Sequence, residues 1–181
     1  MKISVALAAY KGEKYIAGQI DSILSQLGAD DELIVSDDYP SGKTKAIVEG
    51  FAAKDGRVKY LEGKGKGVVK NFENALNACS GDVIFLCDQD DVWMPDKVKT
   101  VMAEFENGAQ LVMHDASITD ADLNVTNPSC FSVHGANPKW RIHAHSRAYR
   151  RSGSGSHATR ERRSHGNESR AHKGSLYRRC R

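Results

Sequence analysis

Val83-Ile84-Phe85-Leu86-Cys87-Asp88-Gln89-Asp90-Asp91-Val92-Trp93 is the stretch on which the reading of this chain turns. Five apolar residues run directly into three carboxylates, with an aromatic residue close behind. A continuous apolar run of this length reads as a strand buried on both faces, as in parallel sheets covered by helices. The carboxylates then fall at the carboxyl end of that strand, the edge at which open α/β sheets bind ligands. Asp88 and Asp90 stand two apart, so a turn at Gln89 can aim both at one point. Hard oxygen donors so placed suit Mg²⁺ or Mn²⁺ bridging a diphosphate. The same residues would also make a solvated acidic turn with Asp91 capping the next helix. The segment alone leaves both readings open.

On either side of this stretch, strand and helix signals alternate. Residues 3–9 read as a strand followed by a polar loop over residues 10–14, and Ile16, Ile20, Ile23, Leu24 and Leu27 then recur at helical spacing up to a Gly28 C-cap. Leu33-Ile34-Val35 is a second buried strand closing on Ser36-Asp37-Asp38, and the turn Tyr39-Pro40-Ser41-Gly42 leads into a helix carrying Ala46, Ile47, Phe51 and Ala52. Residues 58–61 form a third strand, and Gly63, Gly65 and Gly67 mark a flexible loop with Lys64 and Lys66. A helix with Val68, Val69, Phe72, Ala75 and Leu76 precedes the acidic strand. Pro95 then fits the first position of a helix running to about Phe105, before a fifth strand at Leu111-Val112-Met113. The alternation predicts an α/β fold: a mostly parallel, Rossmann-like sheet with right-handed crossovers and helices on both faces.

A length of 181 residues allows one domain with an appendage. The formal charge of +3 conceals a division. Residues 1–136 hold 13 Lys+Arg and 21 Asp+Glu, a net of −8, whereas residues 137–181 hold 13 and 2, a net of +11. Ile142 and Leu176 are the only Ile, Leu, Val, Phe or Met residues in the second segment. Such a stretch cannot bury enough apolar surface to offset the entropy of ordering it, so residues 137–181 are expected to be a disordered basic tail. A reading-frame change near residue 137 would produce this sudden Arg/His/Ser/Gly composition. A neutral tail and a nucleic-acid-binding arm are the other readings, and nucleic acid is the least favoured partner.

Cys79, Cys87, Cys130 and Cys180 form no Cys-x-x-Cys pair and have no zinc spacing, and a reducing cytoplasm is their simplest setting. The apolar run at residues 3–9 is too short for a signal peptide, and no segment approaches the roughly 20 apolar residues of a membrane span. Peripheral membrane contact stays open.

The polar chemistry collects at three loops: residues 10–14, Asp37-Asp38, and residues 88–91. All three follow predicted parallel strands, so they converge on one sheet edge. Asp38 could accept a hydrogen bond from a base or ribose, or simply serve the turn before Pro40. Tyr10 could cover a nucleobase, or simply pack. Their coincidence favours a nucleotide site.

Here the residues carry a resemblance. The stretch from Ser4 to Tyr15 resembles the opening of family 2 glycosyltransferases, and Ile20-Asp21-Ser22-Ile23-Leu24-Ser25-Gln26 is similar to their first helix. Ile34-Val35-Ser36-Asp37-Asp38 resembles their second motif. Val68-Val69-Lys70-Asn71-Phe72 and Asp88-Gln89-Asp90-Asp91-Val92-Trp93 resemble the segment around their metal motif. The match is ordered and covers about residues 2–136, and it looks most like bacterial enzymes of surface-polysaccharide synthesis, such as rhamnosyl- or galactosyltransferases. It implies a GT-A fold, a UDP- or dTDP-linked sugar donor, a glycan or lipid-linked acceptor, and work in the cytoplasm or at the inner face of the membrane.

Position by position, the resemblance implies that Ala8, Tyr10, Glu13 and Asp38 line the nucleotide pocket, with Lys70 or Asn71 near the nucleotide. It places Asp88 between the ribose and the metal shell, and Asp90 on Mg²⁺ or Mn²⁺. Trp93 is expected to pack beneath the turn. Ala9, Lys11 and Tyr39-Pro40-Ser41 depart from the family's usual residues. The acceptor site and the catalytic base belong to the second half of the family's fold. Residues 137–181 offer only Glu161 and Glu168, neither in a fitting context, and His114 and Asp115 are better explained as capping strand five. No catalytic base is assigned, and the chain is expected to be a truncated or frame-disrupted transferase carrying the nucleotide-sugar half. A non-catalytic nucleotide-binding module is the alternative.

Overall fold

The computed structural model describes residues 1–133 and the backbone of residues 147–150. Strand β1 (Ile3–Ala9) is buried along all seven residues, as its unbroken apolar sequence requires. It pairs in parallel with β2 (Glu32–Asp37) on one side and with β4 (Val83–Asp88) on the other. β3 (Val58–Glu62) extends the sheet beyond β2, also in parallel. Beyond β4 lie β8 (Arg147–Arg150) and β5 (Leu111–Val112), giving the order β3-β2-β1-β4-β8-β5. β6 (Ile118–Thr119) and β7 (Val125–Asn127) form a separate two-stranded ribbon.

Successive strand side chains point to opposite faces, so β1 feeds two cores. Val5, Leu7 and Ala9 join Val35, Phe85 and Cys87 on one face, against α1 (Ile16–Leu24), α2 (Thr44–Ala52) and α4 (Lys97–Glu106). Ala6, Ile34 and Ile84 lie on the other face, where α3 (Val68–Ala78) contributes Ala75. Burying each large aliphatic side chain is worth about 1.5–3 kcal/mol. The expected α/β sandwich is what forms. Helix α5 (Cys130–Val133) is a single turn.

Some boundaries differ from the sequence reading. α1 stops at Leu24, not at Gly28, yet Leu27 remains buried in the core. Pro95 precedes the Asp96 N-cap of α4 and does not open the helix, because Lys97 N donates to Met94 O in a preliminary turn (3.1 Å).

A further difference concerns β8. Residues 147–150 belong to the segment expected to stay outside the fold, yet their backbone pairs antiparallel with both β4 and β5. Composition weighs only side-chain burial. Two sheet edges with unpaired amides and carbonyls recruit a backbone whatever its side chains. The rest of the proposed tail, and residues 134–146, lie outside the described residues.

The amino end of the sheet is closed by a buried carboxylate. Glu32 Oε1 accepts from Ser4 Oγ, Ser80 N and Ser80 Oγ, each at 2.7 Å, while Oε2 takes Lys59 Nζ at 2.8 Å. Burial pushes its pKa up, but the hydrogen bonds from Lys59, Ser4 and Ser80 outweigh burial and hold it at about 2. A depressed folded pKa contributes stability that is present above the unfolded value and lost as pH falls through the folded one. Urea unfolding should therefore show the wild type losing stability from about pH 4.5 toward pH 2. Glu32→Gln should be less stable at pH 7 by about 1–3 kcal/mol and flatter across that window. An equal pH slope in both proteins would exclude Glu32 as the titrating group.

Candidate functional site

The parallel register aligns the carboxyl ends of the three central strands. Ala8 lies opposite Ser36 on β2 and opposite Asp88 on β4, and Ala9 lies opposite Asp37. Every polar loop leaving these strands therefore opens at the same edge.

Asp88 ends β4 half-buried, and Asp90 and Asp91 follow as exposed residues. Burial first, then the negative charges of Asp91 and Asp90, push the Asp88 pKa up to about 7. The turn is thus short of positive charge on its open side. Beneath it the packing is apolar: Trp93 is buried, with its ring 5.4 Å from that of Phe85. Lys97 Nζ lies 3.9 Å from the Trp93 ring centroid, and burial lowers the Lys97 pKa to about 7. Trp93 packs the turn from below, as its sequence position suggests.

Among the described residues no three His, Cys, Asp or Glu side chains gather closely enough to enclose a metal. Two carboxylates at the mouth of the site fit a different arrangement. Mg²⁺, and Mn²⁺ with similar ligands, is commonly held by one or two carboxylates with substrate phosphates and waters completing the shell.

The second loop is more occupied than the sequence suggests. Asp38 Oδ1 accepts from Gly65 N (2.8 Å) and Oδ2 from Gly67 N (2.7 Å), so this carboxylate fixes the glycine loop ahead of α3. Gly63 must be glycine there, since a Cβ would come within 2.7 Å of the Asp38 backbone. Asn71 is buried, donating to Ala9 O (2.9 Å) and accepting from Ser36 Oγ (2.6 Å), which ties α3 to the ends of β1 and β2. Asp37, given no separate role in the sequence, is fully buried and accepts from Tyr39 N and Tyr60 Oη.

The first loop presents aromatic surface. Tyr10 and Tyr39, 47 % and 40 % exposed, meet edge to face at 5.8 Å, and Lys11 Nζ lies over both rings at 5.4 and 4.9 Å. Glu13 sits beside Thr44, whose hydroxyl lies 3.5 Å from its carboxylate. Tyr10 is also gripped from the acidic turn. Its N–H donates to Gln89 Oε1 (2.8 Å), and Gln89 Nε2 donates to its carbonyl (2.9 Å). Sequence reasoning used Gln89 only as a spacer. Tyr39 and Lys11 were visible there as departures from the family pattern, without a role.

The profile of glycosyl transferase family 2 matches residues 4–158. The chain belongs to that family. One relative of this transferase chain is the Escherichia coli enzyme WfgD, UDP-Glc:alpha-D-GlcNAc-diphosphoundecaprenol beta-1,3-glucosyltransferase. It is 35 % identical over 98 residues, covering 54 % of this chain and 38 % of WfgD. TarS of Staphylococcus aureus, solved with UDP-GlcNAc, superposes with a TM-score of 0.61 at 25 % identity, covering 67 % of this chain and 36 % of TarS. Glucosyl-3-phosphoglycerate synthase of Mycobacterium tuberculosis, solved with Mn²⁺, UDP and glucosyl-3-phosphoglycerate, gives a TM-score of 0.50 at 27 % identity, covering 62 % and 43 % respectively. The sheet is that of the GT-A transferases. This family 2 chain spans roughly 36–43 % of the length of these three proteins.

No helix among the described residues of the transferase is long and apolar enough to cross a membrane. His114 and Asp115 follow β5, and Asp115 holds the segment ahead of α5. Its carboxylate accepts from Ala116 N (2.8 Å), Phe131 N (2.9 Å) and Ser129 Oγ (2.5 Å). The role is structural, but it ties the segment after β5 to the start of α5 and does not cap β5 as the sequence suggests. Glu161 and Glu168 lie outside the described residues.

The Asp38 cradle makes a local prediction. Asp38→Ala should speed amide exchange at Gly65 and Gly67 strongly, while amides in the middle of β2 stay protected. Unchanged exchange at the two glycines would show that Asp38 does not order the loop.

Proposed function

We propose that the edge formed by β1, β2 and β4 binds the nucleotide-diphosphate end of a UDP- or dTDP-linked sugar, with Mg²⁺ or Mn²⁺ held by Asp88 and Asp90. The whole protein would pass the sugar to a glycan or lipid-linked acceptor in cell-surface polysaccharide synthesis, in the cytoplasm at the inner face of the membrane. The observation that carries this reading is the acidic turn, whose half-buried Asp88 lacks compensating charge, aligned with the Tyr10 and Asp38 loops. WfgD, by its name, uses UDP-Glc and a diphosphoundecaprenol-linked acceptor, and the synthase was solved with Mn²⁺ and UDP.

Tyr10 offers an exposed ring face for the base. Asp38 keeps further lone pairs on the oxygens that cradle the glycine loop, and these can accept from base or ribose. Ala8, registered between Asp88 and Ser36, forms the floor, and Glu13 stands at the rim. Asn71 acts from behind by locking the ends of β1 and β2 together. Asp88 and Asp90 bring negative charge to the diphosphate end, which only a cation can reconcile with phosphate. That cation, once bound, would neutralise the departing diphosphate. No catalytic base is assigned, so a binding module without transfer is the second reading. Donor turnover measured beside donor binding separates the two.

Asp90→Ala should abolish the Mn²⁺-dependent part of UDP or dTDP affinity, because the cation loses a direct oxygen ligand. Asp88→Ala should weaken that part less. Asp38→Ala should cost about 1.5–3 kcal/mol of nucleotide affinity, the worth of a charge-assisted hydrogen bond. Calorimetry with and without chelator reads all three. Wild-type binding indifferent to chelator, or unaffected by both turn variants, would exclude the metal assignment.

A further inference from the structure

We propose that Gln89 is a positioning residue that couples the acidic turn to the nucleobase end of the site, so that cation binding and base binding reinforce each other. This rests on the donor-site reading above. The β1–β4 ladder ends at the pair Ala8–Asp88, where β4 turns away. One step later, the Gln89 side-chain amide takes the place of a strand neighbour. It accepts from Tyr10 N–H and donates to Tyr10 C=O at 2.8 and 2.9 Å, which satisfies both main-chain groups of that residue. A primary amide carries both the donor and the acceptor that this task needs.

The loop needs such a hold. Lys11, next in sequence, has φ 52°, a left-handed conformation that is unfavourable for a non-glycine residue. On its far side the chain is fixed by Gly12 O, which accepts from Tyr15 N and Ile16 N at 3.0 Å, and by Gly12 N, which donates to Thr44 Oγ1 at 2.9 Å. On its near side the Gln89 pair holds it. Gly12 also leaves the space that the amide occupies, since a Cβ there would lie 2.2 Å from Gln89 Oε1. The amide therefore joins two loops whose sequence positions lie 79 residues apart. One loop carries Tyr10 and Lys11. The other carries Asp88 and Asp90. A cation that fixes the acidic turn also fixes Gln89, and with it the Tyr10 ring. By linkage, a base seated on Tyr10 must favour the cation by the same factor.

Uridine and thymidine isolate this effect, because a nucleoside has no phosphate for the cation to touch. Their affinities for the full chain are measured by NMR titration with and without Mn²⁺, beside UDP and dTDP as controls. In the wild type Mn²⁺ should raise the affinity for one nucleoside by about fivefold or more, within the usual range of site–site coupling. Gln89→Ala should remove that gain while leaving the thermal unfolding midpoint nearly unchanged, a combination that general loss of structure cannot produce. Gly12→Ala should mimic it by crowding the amide. The double variant Gly12→Ala/Gln89→Ala should be no worse than either single one, because the clash needs both partners. An Mn²⁺ gain for nucleoside that survives Gln89→Ala, no gain in the wild type, or additive losses in the double variant would overturn the coupling alone. Wild-type UDP and dTDP affinities that ignore Mn²⁺ would overturn the donor-site reading as well.

Discussion

The parallel pairing of β1 with β2 and β4 is the constraint on which everything else rests. Seven consecutive buried residues leave β1 no exposed face, and its register sets which loop ends meet. With Ala8 opposite both Ser36 and Asp88, the carboxylates of two distant segments emerge beside one another. A shift of one residue would send every side chain of a strand to the opposite face. The apolar cores on both faces forbid that shift, so the packing of Val5, Leu7, Val35 and Phe85 fixes the geometry of the polar edge.

The two ends of the sheet handle buried carboxylates in opposite ways. At the amino end Glu32 is saturated by Lys59, Ser4 and Ser80, and its pKa is held low. At the carboxyl end Asp88 has like charges for neighbours, and its pKa is driven high. A saturated carboxylate is a structural tie, complete in itself. One raised by burial and by other carboxylates is electrostatically incomplete, and the proposed cation would offset that charge. Asp38 falls between these cases, engaged by two backbone amides yet lying at the open edge.

Side-chain amides carry much of the organisation at that edge. Asn71 bridges β1 and β2 from α3, and Gln89 bridges β1 to the acidic turn. Both offer a donor and an acceptor together, so each satisfies main-chain or hydroxyl groups that the diverging strands leave unpaired. The result is a preorganised rim made of loops, held by polar contacts that reach beyond the sheet itself.

The α/β alternation, the buried central strands and the placing of Tyr10, Asp38, Asp88 and Asp90 at one sheet edge are legible in the order of amino acids alone. Hydrophobic periodicity is local, and parallel connectivity follows from it almost without choice. Helix ends such as Leu24 were less legible, because capping depends on contacts outside the segment. What each polar group does depends on contacts between distant segments. That Asp38 cradles Gly65 and Gly67, that Asn71 turns inward, and that Gln89 grips Tyr10 are facts about residues brought together from far apart in the chain. Strand β8 belongs to the same class. Side-chain composition argued against it, but unpaired backbone at the edges of β4 and β5 recruits a neighbour through amides and carbonyls that every sequence shares.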